Sequence, residues 1–284
     1  MIVITGASGQ LGQLVISSLL KQVPASAIAA VVRDPAKAGA LAAQGIQLRQ
    51  ADYNDPASLD AAFHGAEKIL LISSSEVGQR LPQHRNAVEA AKRAQPKLLA
   101  YTSVLHADTS PLGLAGEHKA TEELIRASGL NYTILRNGWY FENYHNSIVG
   151  GPAHGGVLGS AGEGRIAAAA RADYAAAAVA VLTATEPPQA LYELGGDHPF
   201  TMAELAAEIA RQSGQPVAYH NLPEAEYKAA LLGWGLPEGL AALIADSDIG
   251  ASQGGLDDRS RSLSRLIGRP TQTLADAVKA ALSA

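Results

Sequence analysis

The sequence predicts an α/β protein whose core is a doubly wound parallel sheet, followed by a small, mainly helical C-terminal lobe. Short aliphatic segments alternate with longer amphipathic ones over the first half of the chain. A glycine-rich turn follows the first aliphatic segment, and helical patterns dominate from Phe200 onward. Strand followed by helix, repeated several times, is typical of a Rossmann-like sheet that is covered by helices on both faces.

Six segments are expected to form the strands of this sheet. They are predominantly apolar instead of alternating, as parallel strands are when both faces of the sheet are buried. The segments are residues 2–5, 28–32, 46–49, 69–73, 98–103 and 130–135.

Helix signals lie between these strands. One helix is predicted over residues 10–21, directly after the glycine turn, and another over residues 79–94. Asp34-Pro35 and Asp55-Pro56 open two further helices, because aspartate caps a helix N-terminus well and proline fits the first turn.

Two domains are predicted. Residues 1–150 form a dinucleotide-binding domain, to which the chain returns at residues 171–195 through a helix and a strand. Residues 151–284 form a smaller substrate lobe. The glycine-rich stretch 150–164, where the alternation breaks, is expected to be loop and turn.

Three helix starts are recognisable in the predicted lobe. Thr201 and Glu204 fit a capping box ahead of a helix over residues 205–212. Pro223-Glu224 and Pro237-Glu238 each start a further helix. The C-terminal third is therefore expected to be mainly helical.

Composition excludes several classes of function. The 284 residues carry a net charge of −5 with scattered lysines and arginines, which argues against a nucleic-acid partner. There is no cysteine, so disulfides, thiolate metal sites and thiol nucleophiles are excluded. The eight histidines lack metal-ligand spacing, and neither a metal nor a flavin is expected.

A cytoplasmic protein without a membrane anchor is expected. The chain opens directly with the apolar run Ile2-Val3-Ile4, which leaves no room for a leader peptide. No later apolar run reaches the length of a membrane span. The oligomeric state cannot be inferred from the sequence.

The first candidate site is the glycine turn, which lies between a predicted strand and a predicted helix. A pyrophosphate must pass close to such a turn, where a Cβ atom would block it, and the helix N-terminus then offers free amides and a positive dipole end. The pattern G-x-x-G-x-x-G therefore predicts dinucleotide binding. Its residues are Gly6, Ala7, Ser8, Gly9, Gln10, Leu11 and Gly12.

The choice between NAD and NADP depends on the end of the second strand. An acid there would bind the ribose 2′-hydroxyl of NAD, and an arginine would pair with the 2′-phosphate of NADP. The residue is Arg33. Asp34 follows it but precedes Pro35, so we interpret Asp34 as a helix N-cap and predict NADPH as the cofactor.

Polar residues at two further strand ends are candidate cofactor contacts. Asp52 follows the third strand and is a candidate for the adenine edge. Ser73, Ser74 and Ser75 follow the fourth strand, although a polar turn would explain these serines equally well.

With these residues identified, the chain resembles the NmrA-like family of atypical short-chain dehydrogenases/reductases. The segment at residues 135–143 is the most family-specific of five matching segments. They are Ile4 to Gly12, Val32-Arg33-Asp34-Pro35, Leu71-Ile72-Ser73-Ser74-Ser75, Tyr101-Thr102-Ser103 and Leu135-Arg136-Asn137-Gly138-Trp139-Tyr140-Phe141-Glu142-Asn143.

This resemblance implies an enzyme that reduces a small-molecule quinone by hydride transfer from NADPH. It also implies that two segments close around the nicotinamide end of the cofactor. The residues concerned are Asn137, Gly138, Trp139, Tyr140, Phe141, Glu142, Arg171 and Asp173.

The chain departs from the superfamily at its usual proton donor. Many members use a Tyr-x-x-x-Lys pair, in which the lysine lowers the pKa of the tyrosine. Counting back from Glu122 places His118 at the lysine position and Leu114 at the tyrosine position. A quinone suits this loss, because its reduced oxygens can be protonated by water and positioning then supplies most of the catalysis.

Three residues are candidates for a role in catalysis, each with a simpler alternative. Asn137 and Tyr140 could hydrogen-bond a quinone oxygen, and His118 could supply a proton because histidine titrates near neutral pH. Alternatively, Asn137 stabilises a turn, Tyr140 is a core aromatic and His118 lies on a helix surface. The crowding of four aromatic residues into positions 139–144 favours a site for a flat, apolar ligand.

Two other classes of function remain open at this point. A non-catalytic sensor that binds the dinucleotide and reports its redox state to a protein partner would also lack the catalytic tyrosine. An epimerase or dehydratase is less favoured, because those enzymes depend on the Tyr-x-x-x-Lys pair.

Overall fold

The computed structural model describes residues 1–283, which form two compact units. The first unit consists of Met1–Val104, Glu117–Arg136 and Arg171–Tyr192. The second consists of Leu105–Gly116, Asn137–Ala170 and the chain from Glu193 onward.

The division between the units differs from the predicted boundary at residue 150. Residues 105–116 and 137–150 belong to the second unit. Backbone groups of these segments form hydrogen bonds with other residues of that unit. For example, the Phe141 amide donates to the Ala169 carbonyl oxygen (3.1 Å).

Residues 1–283 contain nine strands, and the six predicted for the first half of the chain are confirmed to within a few residues. They are β1 (Ile2–Ile4), β2 (Ile28–Val32), β3 (Gln47–Gln50), β4 (Lys68–Leu71), β5 (Leu98–Val104), β6 (Tyr132–Asn137), β7 (Gly156–Gly159), β8 (Leu191–Leu194) and β9 (Ala218–Asn221).

Seven of these strands form one sheet in the order β3-β2-β1-β4-β5-β6-β8. The order reverses at β1, and the pairings from β3 through to β5 are parallel. The predicted doubly wound fold is thereby confirmed. In the register of the sheet Ile4 lies beside Ala30 and Leu70, so the segments that leave β1, β2 and β4 start at one edge.

The described part of the chain also contains twelve α-helices. They are α1 (Gln10–Leu19), α2 (Gly39–Ala42), α3 (Pro56–Phe63), α4 (Arg80–Ala94), α5 (Ala115–Arg126), α6 (His145–His154), α7 (Arg171–Thr183), α8 (Met202–Ser213), α9 (Glu224–Gly233), α10 (Glu238–Ser252), α11 (Ser262–Ile267) and α12 (Leu274–Leu282). None of the helices in residues 1–283 combines the length and the apolar character that crossing a bilayer requires.

Two of the predicted helix starts are confirmed by side-chain caps. Asp55 accepts hydrogen bonds from the Ala57 and Ser58 amides at the start of α3. At the start of α8, Thr201 and Glu204 form the predicted reciprocal capping box. In the first unit α1 packs against α7, and α3 packs against α4.

The prediction of loop and turn for residues 150–164 is wrong, because α6 and β7 occupy most of this stretch. The glycines mislead here because their role is packing. A Cβ atom on Gly151 would lie 3.4 Å from the Val217 side chain and 3.5 Å from that of Val157. Gly155 then ends α6 in the left-handed conformation (φ +69°), and β7 pairs in parallel with β9.

Candidate active site

The glycine turn joins β1 to α1 at the sheet edge where the order of strands reverses. Gly6 adopts φ +58°, and the Gly9 amide donates to the Gly6 carbonyl oxygen (3.0 Å). A Cβ atom on Gly12 would overlap that carbonyl oxygen, so the helix approaches the turn only because residue 12 is a glycine. Gln13 steadies the turn by donating from Nε2 to the Ser8 carbonyl oxygen (2.7 Å).

The start of α1 fits an anionic group. Gly9 is the N-cap and supplies no side-chain acceptor, and the first turn contains no acidic residue. The first amides of a helix need partners from outside it, and the positive end of the helix dipole favours an anion there. The seven predicted residues therefore form a cradle that suits the pyrophosphate of a dinucleotide.

Arg33 leaves the end of β2 with an exposed guanidinium. Its Nη1 atom lies 3.2 Å from Oε1 of Glu76, and its carbonyl oxygen accepts a hydrogen bond from Gln50 Nε2 (3.1 Å). Asp34 turns away, since its Oδ1 atom accepts from the Ala36 amide (3.0 Å) as a helix N-cap. The geometry matches the interpretation of Asp34 as a cap, and the guanidinium of Arg33 is exposed at the end of β2.

The serine loop after β4 is held from two sides. His84 Nε2 accepts from the Ser74 amide (2.9 Å), and Arg80 Nε donates to the Ser74 carbonyl oxygen (2.6 Å). The Ser73 amide donates to Thr102 Oγ1 (2.9 Å), and Ser75 is exposed. These hydrogen bonds hold the serine loop, residues 73–75, in place beside the glycine turn.

Asp52 follows β3 and is half-buried. Its Oδ1 atom accepts from the Asn54 amide (2.8 Å), which uses part of its capacity to bind a ligand. The neighbouring Tyr53 was not singled out from the sequence. Its hydroxyl lies 2.6 Å from Thr5 Oγ1 and 2.7 Å from the Ile72 carbonyl oxygen, and it ties the ends of β1, β3 and β4 together.

His118 lies inside the first unit, where it is only 5% exposed. Its Nε2 atom faces Arg80 Nη1 (3.5 Å), and its Nδ1 atom lies 2.8 Å from the Tyr101 hydroxyl. A guanidinium only donates, so Nε2 accepts and Nδ1 carries the proton. Burial, followed by the charge of Arg80, lowers the pKa of His118 to about 3. A neutral, buried imidazole is poorly suited to the expected role of a proton source at neutral pH.

His84 is a second buried histidine in the same region. Its Nε2 atom is occupied by the Ser74 amide, and its Nδ1 atom lies 2.9 Å from Thr121 Oγ1, which itself donates to the Glu117 carbonyl oxygen. Nδ1 therefore carries the proton. Burial and the charge of Arg80 lower the pKa of His84 to about 3 as well. The two imidazoles support the serine loop in their neutral forms.

The lowered pKa values of His84 and His118 predict that the folded protein becomes less stable in acid. The unfolded chain binds a proton at each histidine near pH 6.5, whereas the folded chain does so only near pH 3. The contribution of these neutral histidines to stability is therefore fully present above pH 6.5. As the pH falls from there toward 3, the free energy of unfolding decreases by about 1.4 kcal/mol per pH unit for each histidine.

A His118→Asn variant tests the contribution of His118 separately from that of His84. Between about pH 6 and pH 4, the stability advantage of the wild-type chain over this variant should shrink by about 1.4 kcal/mol per pH unit, since only the wild type loses that contribution. Urea unfolding at several pH values measures the difference. A difference that stays constant with pH would contradict the assignment of a neutral His118.

Asn137 ends β6 and belongs to the second unit. Its carbonyl oxygen accepts from the Leu105 amide (2.9 Å), and the residue is 4% exposed. Among residues 1–283 its buried Oδ1 atom has no hydrogen-bond partner. A buried polar atom without a partner is costly, so this amide is suited to a ligand that donates a hydrogen bond.

The segment after Asn137 is fixed by backbone pairing. The Gly138 amide donates to the Leu194 carbonyl oxygen (2.8 Å), and the Ala169 amide donates to the Trp139 carbonyl oxygen (3.0 Å). Trp139 and Tyr140 are half-buried, and Glu142 is exposed.

Two of the four aromatic residues in this segment are buried, and two are half-buried. Phe141 stacks on Phe200 with ring centroids 5.7 Å apart, and Tyr144 meets the same ring edge-on at 5.9 Å. Both are core residues of the second unit. Trp139 and Tyr140 keep accessible surface and remain candidates for ligand contact.

Arg171 and Asp173, by contrast, lie in the first turn of α7 in the first unit, where Arg171 is half-buried and Asp173 is buried.

The structure brings the glycine turn, Arg33, Asp52 and the serine loop to one sheet edge. Glu76, which directly follows the three serines, is the polar residue that sequence reasoning missed at this edge.

Comparison with known proteins gives a consistent assignment. The family model described as NAD(P)H-binding matches residues 6–185. The chain is 61% identical over 278 residues to quinone oxidoreductase 2 of Escherichia coli (strain K12), an alignment that covers 98% of this chain and 97% of the relative.

Solved structures agree with this sequence similarity. An NADPH-dependent quinone oxidoreductase from Escherichia coli, complexed with NADPH, superposes with a TM-score of 0.96 at 60% identity and covers 99% of both chains. Triphenylmethane reductase from Citrobacter sp., complexed with NADP(H), superposes with a TM-score of 0.96 at 38% identity over 99% of this chain and 100% of that one.

Proposed function

We propose that this chain, which belongs to the NAD(P)H-binding family, is an NADPH-dependent enzyme that reduces quinones. The resemblance to NmrA-like oxidoreductases is confirmed by its relatives. The proposal rests on one observation, the uncapped glycine cradle beside Arg33, in a chain 61% identical to a quinone oxidoreductase.

The first unit supplies the residues that would hold the cofactor. The glycine turn would bind the pyrophosphate through the amides of α1, and Arg33 would pair with the 2′-phosphate. Asp52 and the serine loop would line the adenosine side. When bound, NADPH supplies the hydride that two-electron reduction of a quinone requires.

Residues of the second unit are proposed to position the substrate. A quinone oxygen only accepts hydrogen bonds, so the Asn137 side chain is proposed to flip and donate from Nδ2, at the place where its unpartnered Oδ1 atom now lies. The Tyr140 hydroxyl is the second group proposed to hold a quinone oxygen. Glu142 is proposed as a further ligand contact of this unit, whereas Arg171 and Asp173 lie in the first unit and are proposed there to contact the nicotinamide.

The proton in this proposal comes from solvent. His118 is neutral and buried, and the chain has no Tyr-x-x-x-Lys pair at the expected helix. A hydroquinone oxygen is stabilised by the aromatic ring, so its protonation needs no strong acid from the protein. Orientation of the flat substrate would then provide most of the rate enhancement.

The activity is tested by following NADPH oxidation with a panel of benzoquinones and naphthoquinones, with a no-acceptor control and NADH in parallel. We expect quinone-dependent turnover that prefers NADPH. Tight cofactor binding without turnover on any quinone would contradict the proposal and favour a redox sensor that signals to a protein partner.

Arg33→Ala is expected to weaken NADPH binding selectively. Loss of a charge-assisted pair with the 2′-phosphate should cost about 1–3 kcal/mol, or roughly 5- to 150-fold in affinity. NADH lacks this phosphate, so its affinity should hardly change. Fluorescence titration of both cofactors measures the effect, and equal losses for the two would refute the role of Arg33.

A further inference from the structure

The arginine proposed to receive the 2′-phosphate already has an anionic partner. Arg33 Nη1 lies 3.2 Å from Glu76 Oε1, across 43 residues of sequence. Both side chains are open to solvent, with 72% of the arginine and 44% of the glutamate side chain exposed. A phosphate that binds Arg33 would therefore arrive beside a carboxylate.

Glu76 is held in this position by α4 and the serine loop. Its Oε2 atom accepts from Gln83 Nε2 (2.8 Å), and its amide donates to Ser74 Oγ (3.2 Å). Gln83 is buried, with Nε2 also 3.4 Å from Asn54 Oδ1. The carboxylate is therefore a fixed feature of the site, because its anchor cannot rotate freely.

The ion pair between Arg33 and Glu76 is weak, but the negative charge of Glu76 repels a phosphate that binds Arg33. Exposed pairs contribute little to stability, so Arg33 can change partner when a ligand arrives. A dianionic phosphate binds a guanidinium more strongly than a carboxylate does, but it also meets the negative charge of Glu76 at close range. Removing that charge should therefore help a ligand with a 2′-phosphate and leave one without it unaffected.

We propose that Glu76 is a specificity-determining residue that occupies Arg33 in the free protein and weakens the binding of the 2′-phosphate. This inference rests on the proposed function, since it takes NADPH as the cofactor. Glu76 limits the preference for NADPH over NADH and eases release of the phosphorylated cofactor.

Glu76→Gln tests this role with little change of shape. The glutamine carbonyl oxygen can still accept from Gln83 Nε2, so the loop keeps its anchor. We expect the dissociation constant for NADPH to fall about 3- to 10-fold and that for NADH to change less than about twofold. Isothermal titration calorimetry measures both without turnover.

Glu89→Gln is the matched control. Glu89 is an exposed residue of α4 that pairs with Lys92 (3.0 Å), and its replacement changes the net charge by the same amount. This variant should bind both cofactors as the wild type does. An equal gain in NADPH affinity in Glu89→Gln would mean that overall charge is responsible, and it would overturn the proposal.

Fragments of the cofactor locate the effect. Adenosine 2′,5′-bisphosphate should bind Glu76→Gln more tightly than the wild type, and adenosine 5′-monophosphate should bind both equally. The gain should shrink as salt is added, because the charges at this exposed site are screened. A gain that is the same for both fragments would contradict an effect on the 2′-phosphate.

The remaining outcomes separate this inference from the proposed function. Wild-type protein that fails to bind NADPH would overturn both. Wild-type binding of NADPH with unchanged affinity in Glu76→Gln would overturn only the role of Glu76. Weaker NADH binding in the variant would assign Glu76 to the ribose hydroxyls and would likewise refute it.

Discussion

Replacing Glu122 by alanine is expected to lower the free energy of unfolding by about 3–5 kcal/mol. Glu122 is a fully buried residue of α5. Its carboxylate accepts two hydrogen bonds from Arg136, Nε to Oε1 (2.9 Å) and Nη2 to Oε2 (2.7 Å). Ser103 Oγ donates to Oε1 (2.6 Å) and Arg126 Nη2 to Oε2 (2.8 Å). Alanine would remove all four bonds and leave a void beside a buried guanidinium.

Two further variants separate charge from general packing. Glu122→Gln keeps the volume and part of the hydrogen bonding, so we expect an intermediate loss of about 1–3 kcal/mol. Arg126→Ala removes only the outer partner, whose side chain is 38% exposed, and should cost about 1 kcal/mol or less.

Urea unfolding of the three variants beside the wild type measures these values. Glu122 of α5 is bonded to Ser103 of β5 and to Arg136 of β6. A loss below about 1 kcal/mol for Glu122→Ala would show that these bonds contribute little to stability. Since the cluster lies within the first unit, its loss should lower stability without selecting between the two cofactors.

The sheet was predictable because its signal is local and strong. Buried parallel strands need unbroken apolar segments, and such segments are easily recognised between polar helix starts. The caps at Asp55 and Thr201 are equally local, because an N-cap acts on amides two or three residues away. These features together define the doubly wound fold.

The small sheet of the second unit was not predictable in the same way. β9 is the largely exposed sequence Ala-Tyr-His-Asn, which carries no apolar pattern, and it forms only by pairing with β7. Gly150 and Gly151 lie within α6 despite their low helix propensity, and Gly151 packs there against Val157 and Val217. Tertiary contacts, which the sequence does not display, decide both elements.

The polar contacts of the site show the same limit. The glycine turn and Arg33 could be identified from spacing, because a cofactor requires those residue types at those positions. The pairing of Arg33 with Glu76 joins residues 43 apart, and the burial of His118 depends on Tyr101 and Arg80. Residue type therefore predicts where the site lies, whereas protonation and pairing become visible only in the structure.

Gly9→Val is expected to abolish cofactor binding while leaving a folded protein. Gly9 has φ −75° and ψ 165°, an extended conformation that valine adopts readily. A Cβ atom there would lie 3.2 Å from the Gly6 carbonyl oxygen, which needs a shift of only a few tenths of an ångström. The valine methyl groups would instead occupy the space in front of the α1 amides, where the pyrophosphate must approach closely.

We expect affinity for NADPH and NADH to fall together by more than about 100-fold, or roughly 3 kcal/mol, because both cofactors carry the pyrophosphate. Gly239→Val, at the start of α10 with nothing within 4 Å of its Cβ position, is the matched control and should bind both cofactors normally. Circular dichroism and thermal unfolding check the fold of each variant. If a folded Gly9→Val protein still bound NADPH tightly, the turn would serve only the fold, and the cofactor would have to be held elsewhere.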